Sequence, residues 1–554
     1  MGYDQRDVPL TVHSHGSTSS LLLYVLLVIF GWAPLIAGDG SLPVRCGFAT
    51  PEAEARLASL NNGILAAQRP VLPESVSSPG GRFRIHFTRT GPDAVPPDDA
   101  DGNGIPDYVD EAGHALDKAF LAEVDTMGYV SPPSDDTAGG SPQFDLYLHD
   151  LSKAGQGFGL YGITEPERAL NGSGLTRYTS WMEADNDFSP NDRNAFDSVI
   201  YATTGIAALR VTCAHEFHHM IQLGGYGDTG IQRSIHELSS TWMEMRVWPE
   251  IRDWTAYTGA LLRNPERYPL SLPETANGYY WGWFGKAMHR LDGDAPLRRT
   301  WELIATGMRP FAALDQACGE SGSRLEPLFC NTIAELYRTG SRGQSNTLLP
   351  KAELLPEIHL ASDDRVRPPS ALITGELRPY EVRCHRFSVP SLTDADRPVS
   401  VAIVLSAPDT DAMIASSTAA RTAYAITLTS NRTEEDLPIN GSAWGLRITS
   451  TGICYKMDGV TTERVEGPYP MPFVRSMHDR LNIPVPFAMP GDHATITVLM
   501  PTMRVIASDE ATVILDDTRI VVPWANASTL HSGIYLLRVN CSDRTELYKL
   551  VVRE

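Results

Sequence analysis

Apolar residues along this chain follow two rhythms, one helical and one strand-like, and the change from the first to the second divides the sequence. From Gly205 to Leu223 (GIAALRVTCAHEFHHMIQL), Ala207, Val211, Ala214, Phe217 and Ile221 recur at steps of four, three, three and four. That is the spacing of one helical face, and Gly224-Gly225 stops the run. SIHELSSTWMEM, beginning at Ser234, predicts a second helix. NGYYWGWFGKAMHRL, PLRRTWELIATGM, AALDQAC and LEPLFCNTIAELYRTG predict further helices with apolar faces behind it. Upstream, Arg82 to Thr88 alternates like a strand, and strands are also expected near FDLYLHDL (144–151) and SVIYAT. From about residue 355 the pattern shortens to β-type runs (YEVRCHRFSV, PVSVAIVL, AYAITLT, WGLRITS) separated by Pro, Asp, Ser and Asn, the spacing of an antiparallel β-sandwich. A last β unit begins near 481 and ends in a hairpin, SGIYLLRV to KLVV.

The predicted organisation is multidomain: an α+β domain over 81–350, a β-sandwich over 355–475 and a terminal β domain over 481–554, preceded by an irregular leader or propeptide-like segment at 38–80. A length of 554 residues exceeds what one core supports, and 42% hydrophobic with 20% charged residues is ordinary for a globular chain. Ser20 to Ile36 is an apolar run preceded by Arg6 and followed by Ala37-Gly38. Its length and its Pro34 suit a signal peptide over 1–37, cleaved near Ala37, and no later segment is apolar enough to span a membrane. The net charge of −21, without a block of like charge, argues against nucleic-acid binding. Export makes the seven cysteines interpretable. Cys318 and Cys330 bracket a Gly-Ser turn and predict a local disulfide, while Cys213 inside the first helix predicts a buried thiol.

His215-Glu216-Phe217-His218-His219 gives that first helix its chemistry. Residues four apart share a helix face, so His215 and His219 can present two imidazoles to one ion with Glu216 beside them, the arrangement of a zinc hydrolase. Catalytic zinc takes three protein ligands. Glu237 and Glu244 lie on one face of the second helix but about 10 Å apart along its axis, so one of them suits the metal and the other suits a supporting role. Glu237 is the expected third ligand, with Glu244 the alternative. Glu216 is the expected general base, and Tyr280 or Tyr279 the candidate oxyanion donor.

A second motif, DADGNGIPDYVD, sets oxygen donors at calcium-loop spacing: Asp99, Asp101, Asn103, the carbonyl of Ile105, Asp107 and Asp110, with Gly104 at the sharp turn. Calcium there would be structural.

HEFHHMIQ followed by ELSSTWME resembles a family of bacterial secreted metalloproteases that carry HEFxHxIQ and then ExxAxWxE. The segments DADGNGIPDYVDEAGHALDKAF, FDLYLHDL, YGIT, DNDF and YRTGSR extend the resemblance over roughly 80–345. It implies a zincin-like catalytic domain of gluzincin type, with Ser240 departing from the family's alanine. The terminal unit is similar to type IX secretion sorting domains and related Ig-like modules, which implies the secretion machinery as a partner and a secreted or cell-surface location. The expected activity is hydrolysis of protein or peptide substrates by metal-activated water. The rival expectations are a surface adhesion protein on an inactive peptidase fold, and a zinc hydrolase of a non-peptide bond.

Overall fold

The computed structural model describes residues 45–61, 68–170, 174–366, 370–389, 399–429, 436–439, 444–461, 468–485, 488–516, 519–541 and 544–554. The expected signal peptide lies outside them. No described helix is long and apolar enough to cross a membrane.

The chain is a multidomain α+β protein. The leader expected to be irregular instead contains helix α1 (Pro51–Asn61) and strand β1 (Glu74–Ser77). Strands β2 (Phe83–Phe87), β3 (Phe144–Leu148), β4 (Gly162–Leu170) and β5 (Arg177–Ala184) join β1 in a five-stranded sheet of order β1-β2-β3-β5-β4. β2, β3 and β5 run parallel, whereas β1 and β4 pair antiparallel at the two edges. Alternation along β3 explains the layering: Leu146 and Leu148 join the main core, while Asp145 accepts hydrogen bonds from Arg69 (2.5 Å) and engages His86 (2.7 Å) on the other face.

Helices α2 (Asp107–Phe120) and α3 (Gly205–Ile221) cover the apolar face, with Phe217 of α3 edge-on to Phe83 of β2 at 5.3 Å. Helix α4 (Ser234–Val247) packs against α3 from the opposite side. SVIYAT is not a strand. Its amides go elsewhere, Ser198 N–H to Asn194 Oδ1 (3.0 Å) and Ala202 N–H to the Tyr161 hydroxyl (2.6 Å), while Ile200 and Tyr201 bury as loop anchors. β3 instead pairs with β5, which forms an antiparallel hairpin with the edge strand β4.

Beyond the helices, strands β6 (Ser362–Arg365), β7 (Ser370–Leu377), β8 (Val382–Val389), β9 (Val399–Ser406), β10 (Thr422–Thr429), β11 (Leu437–Pro438), β12 (Gly445–Thr449) and β13 (Cys454–Thr461) form two four-stranded sheets, β11-β12-β10-β7 and β13-β9-β8-β6. Pairing is antiparallel except at one edge, where β6 runs parallel to β8. The unbroken apolar run of β9 follows from burial on both faces: Val401, Ile403 and Leu405 fill the space between the sheets, whereas Ala402 and Val404 join the core of the helical region. A separate core, including Ile496, Val522, Leu537 and Leu550, lies between the five- and three-stranded sheets at the C-terminus. The expected Cys318–Cys330 bridge does not form. Cys330 bonds Cys454 of β13, and Cys318 is a buried thiol on another helix. Sequence proximity misled because the helix bearing Cys330 packs against β13, and it is this packing that brings the two sulfurs together.

Candidate metal centre

Helices α3 and α4 bury many polar side chains against one another; His215, His219, Glu237 and Glu244 have directed partners, whereas Ser234, His236 and Thr241 are buried without a side-chain hydrogen bond among the described residues. His215, His219 and Glu237 converge: His215 Nε2 lies 3.2 Å from His219 Nε2 and 3.0 Å from Glu237 Oε2, and His219 Nε2 lies 3.4 Å from Glu237 Oε1. Both rings are held from behind. His215 Nδ1 contacts Glu244 Oε1 at 2.7 Å, and His219 Nδ1 contacts Gln222 Oε1 at 2.7 Å. The Gln222 amide donates to Ser239 Oγ (3.0 Å), Ser240 Oγ (3.1 Å) and the His236 carbonyl (3.1 Å), so its oxygen faces His219 and must accept from Nδ1. Ser239 and Ser240 thus anchor the residue that orients a histidine. Glu237 Oε1 is buried without a hydrogen-bond partner.

Glu216 lines the cavity beside His215. Thr164 Oγ1 on β4 contacts both Glu216 Oε2 (2.7 Å) and the Glu216 carbonyl (2.8 Å). Strand β4 crosses close over α3 here. A Cβ on Gly162 would lie 2.7 Å from Glu216 Cγ and Thr212 Cγ2, so only glycine fits.

A fourth side chain enters from the leader. Cys46 Sγ belongs to the convergent set with His215, His219 and Glu237, whose ligand atoms all lie within 4.8 Å of one another, and it is 3.4 Å from Glu216 Oε2. Of the two candidate tyrosines, Tyr279 lines this cavity: its ring stacks 6.0 Å from His215 and its hydroxyl accepts the Cys46 N–H at 3.0 Å. Tyr280 points away and stacks on Tyr268 at 3.9 Å.

The charge states follow from this packing. Burial alone would raise Glu237, but His219 and His215 outweigh it and leave its carboxyl at about 2. Burial lifts Glu244 to about 7 against the pull of His215. Burial disfavours a charged His215, yet the hydrogen bonds it donates to Glu237 and Glu244 reverse that and favour its protonated form without a cation. A proton and a metal ion are therefore rival occupants of the same position. Burial, then Glu216 and Glu237, keeps Cys46 a neutral thiol when no cation is present. His218, which had no assigned role, bonds Glu123 at 2.8 Å; burial pushes His218 well below and Glu123 well above their usual ranges, giving a neutral pair. His236 is held at about 4 by burial and packs on Phe48 and Trp301.

In the acidic loop, Asp99, Asp101 and Asp107 offer oxygens within 4.8 Å of one another. Asn103 Nδ2 contacts Asp110 Oδ2 at 2.8 Å, which places Asn103 and Asp110 beside that trio, and Ile105 N–H bonds Asn103 Oδ1 at 2.6 Å. Gly102 and Gly104 have φ of 72° and 87°, the left-handed region that favours glycine. A third acidic group, Asp185, Asp187 and Asp192, was not singled out by spacing. Gln222 was also missed, although its place three residues after His219 is a helical-neighbour signal. No family model, curated protein or solved structure matches the chain.

Proposed function

We propose that this chain is a secreted bacterial zinc-dependent endopeptidase, with His215, His219 and Glu237 holding the metal. The observation that carries the reading is the convergence of two Nε2 atoms and a buried carboxylate, each imidazole fixed from behind at Nδ1. Three buried carboxylates, Glu216, Glu237 and Glu244, surround two imidazoles, a charge pattern that a divalent cation balances. Nitrogen donors with one carboxylate suit zinc.

When bound, zinc supplies Lewis acidity to a water molecule and to a peptide carbonyl. Glu216, its carboxylate held by Thr164, takes the proton of the attacking water and returns it to the leaving amine. Tyr279, whose hydroxyl meets the backbone of residue 46, stands where it can donate to the carbonyl oxygen of a bound chain. Calcium in the Asp99–Asp110 loop would fix the start of α2, which packs directly on α3. The C-terminal β domain would serve export.

Glu216→Gln tests the chemistry apart from the metal. It should leave zinc content and fold intact and lower chelator-sensitive casein cleavage by at least ~100-fold, the lower end of a general base's contribution. Near-normal cleavage at full zinc occupancy would refute the mechanism. Zinc binding without cleavage by the unaltered site would favour the adhesion reading, or hydrolysis of another bond.

A further inference from the structure

We propose that Cys46 is the fourth protein ligand of the metal, and that Arg45–Phe48 lies along β4 in the place of an extended substrate, so that the chain as folded is latent. This rests on the metal reading above and adds to it a ligand and a competitor for the cleft.

The segment is built into the site through several independent contacts. Tyr161 N–H donates to the Arg45 carbonyl at 2.7 Å, and Cys46 bridges Gly162 in parallel, so the leader extends the sheet at its edge just where β4 begins. A Cβ on Gly47 would lie 2.7 Å from Ile163, which explains a glycine directly after the cysteine. Phe48 stacks on His219 at 4.6 Å and is 1% exposed. Arg45 is buried, ion-paired with Asp253, and its guanidinium lies over the rings of Tyr161 (4.5 Å) and Tyr257 (4.4 Å). Downstream, Arg56 of α1 pairs with Glu165 of β4, extending the clasp along the same strand.

The geometry gives this segment two effects. A thiolate among two imidazoles and a carboxylate completes a tetrahedral set, the composition of closed zinc sites, where catalytic sites keep a position open for water. Cys46 Sγ also lies 3.4 Å from Glu216 Oε2, so the same segment occupies the proposed general base. Groups that an extended peptide would use, the Tyr161 backbone N–H and the Tyr279 side-chain hydroxyl, are already paired with residues 45 and 46. His215 and Glu216, at 5% and 2% exposure, are closed to a polypeptide until this segment withdraws.

X-ray absorption of the zinc-loaded full chain reads the ligand directly. One sulfur at about 2.3 Å is expected, replaced by nitrogen or oxygen in Cys46→Ser with zinc still at one per chain. A nitrogen/oxygen-only shell in the unaltered protein, with zinc lost in His215→Ala, would overturn the cysteine ligand while sparing the metal site. Zinc binding unaffected by His215→Ala would overturn both. For latency, Cys46→Ser, and Cys46→Ala as a second variant, should cleave a fluorogenic peptide at least ~10-fold faster than the parent, as expected when a dominant closed state is removed. Equal rates at equal zinc occupancy in both variants would overturn it.

Discussion

Replacing Glu237 and Glu244 separately by glutamine distinguishes a metal ligand from a group that holds a ligand in place. Glu237 offers both oxygens to the two Nε2 atoms, at 3.0 and 3.4 Å, so Glu237→Gln removes the anionic donor from the point of convergence. Glu244 touches only Nδ1 of His215, at 2.7 Å. Glutamine can still accept that hydrogen bond through its own oxygen. Losing a supporting group of this kind costs about 10 to 100-fold in metal affinity, or about 1.4–2.7 kcal/mol. For Glu244→Gln the lower end is expected, because Glu244 also favours the proton on His215 that competes with the metal, and removing it weakens the competitor as well. Glu237→Gln should exceed about 100-fold. Competition against a chromophoric zinc chelator at neutral pH, with circular dichroism to verify the fold, measures both. A larger loss in Glu244→Gln than in Glu237→Gln would refute the assignment.

Two further outcomes are expected. Calcium at about 10 mM should raise stability by about 1–3 kcal/mol if the loop binds with the affinity usual for extracellular modules, and Asp101→Ala should abolish that increment; superimposable parent melting curves with and without calcium would count against the loop. His385, buried between Ser362 and Tyr424 (2.9 and 3.0 Å), is held at about 4 by burial and then by Arg383, against the ordinary 6.5. The unfolded chain therefore binds the extra proton, so this stability is present above pH 6.5 and is lost as pH falls through 4. The loss should amount to about 2 kcal/mol between about pH 7.5 and pH 5, and denaturant unfolding of His385→Gln should show a correspondingly flatter pH dependence; an unchanged slope would show that His385 does not titrate this way.

Local periodicity made the two site helices legible, because α3 and α4 each carry their chemistry within one stretch of chain. His215 and His219 are four apart, and helical rise argues against Glu237 and Glu244 both binding one ion, while the preference for Glu237 rests on its short separation from His219 and on the gluzincin resemblance. What the sequence hid depends on distant contacts. Cys46 lies 170 residues from Glu216, in a leader whose composition suggested no structure. The Cys330–Cys454 bridge spans 124 residues, and no spacing rule reaches that far. SVIYAT had the residues of a strand, but the Asn194 side chain and the Tyr161 hydroxyl claimed its amides first. The hairpin of β4 and β5 was overlooked because it is buried on both faces and its buried residues include Thr164, Glu165 and Glu183, polar positions that the alternation rule reads as outward.

Those buried polar residues link the fold to the proposed chemistry. Thr164 of β4 holds Glu216, while the first residues of β4 receive the leader. On the proposed reading, the strand that holds Glu216 is also the strand with which a peptide substrate would pair. A sheet edge is a liability that proteins ordinarily cover or blunt. Here the described cover at the start of β4 is Arg45–Phe48, fastened by Arg45 to Asp253 and by Phe48 to His219. The cover that protects the edge also brings the Cys46 thiol beside His215, His219 and Glu237, so on the proposed reading protection of the edge and silence of the site would be lost together when the leader leaves.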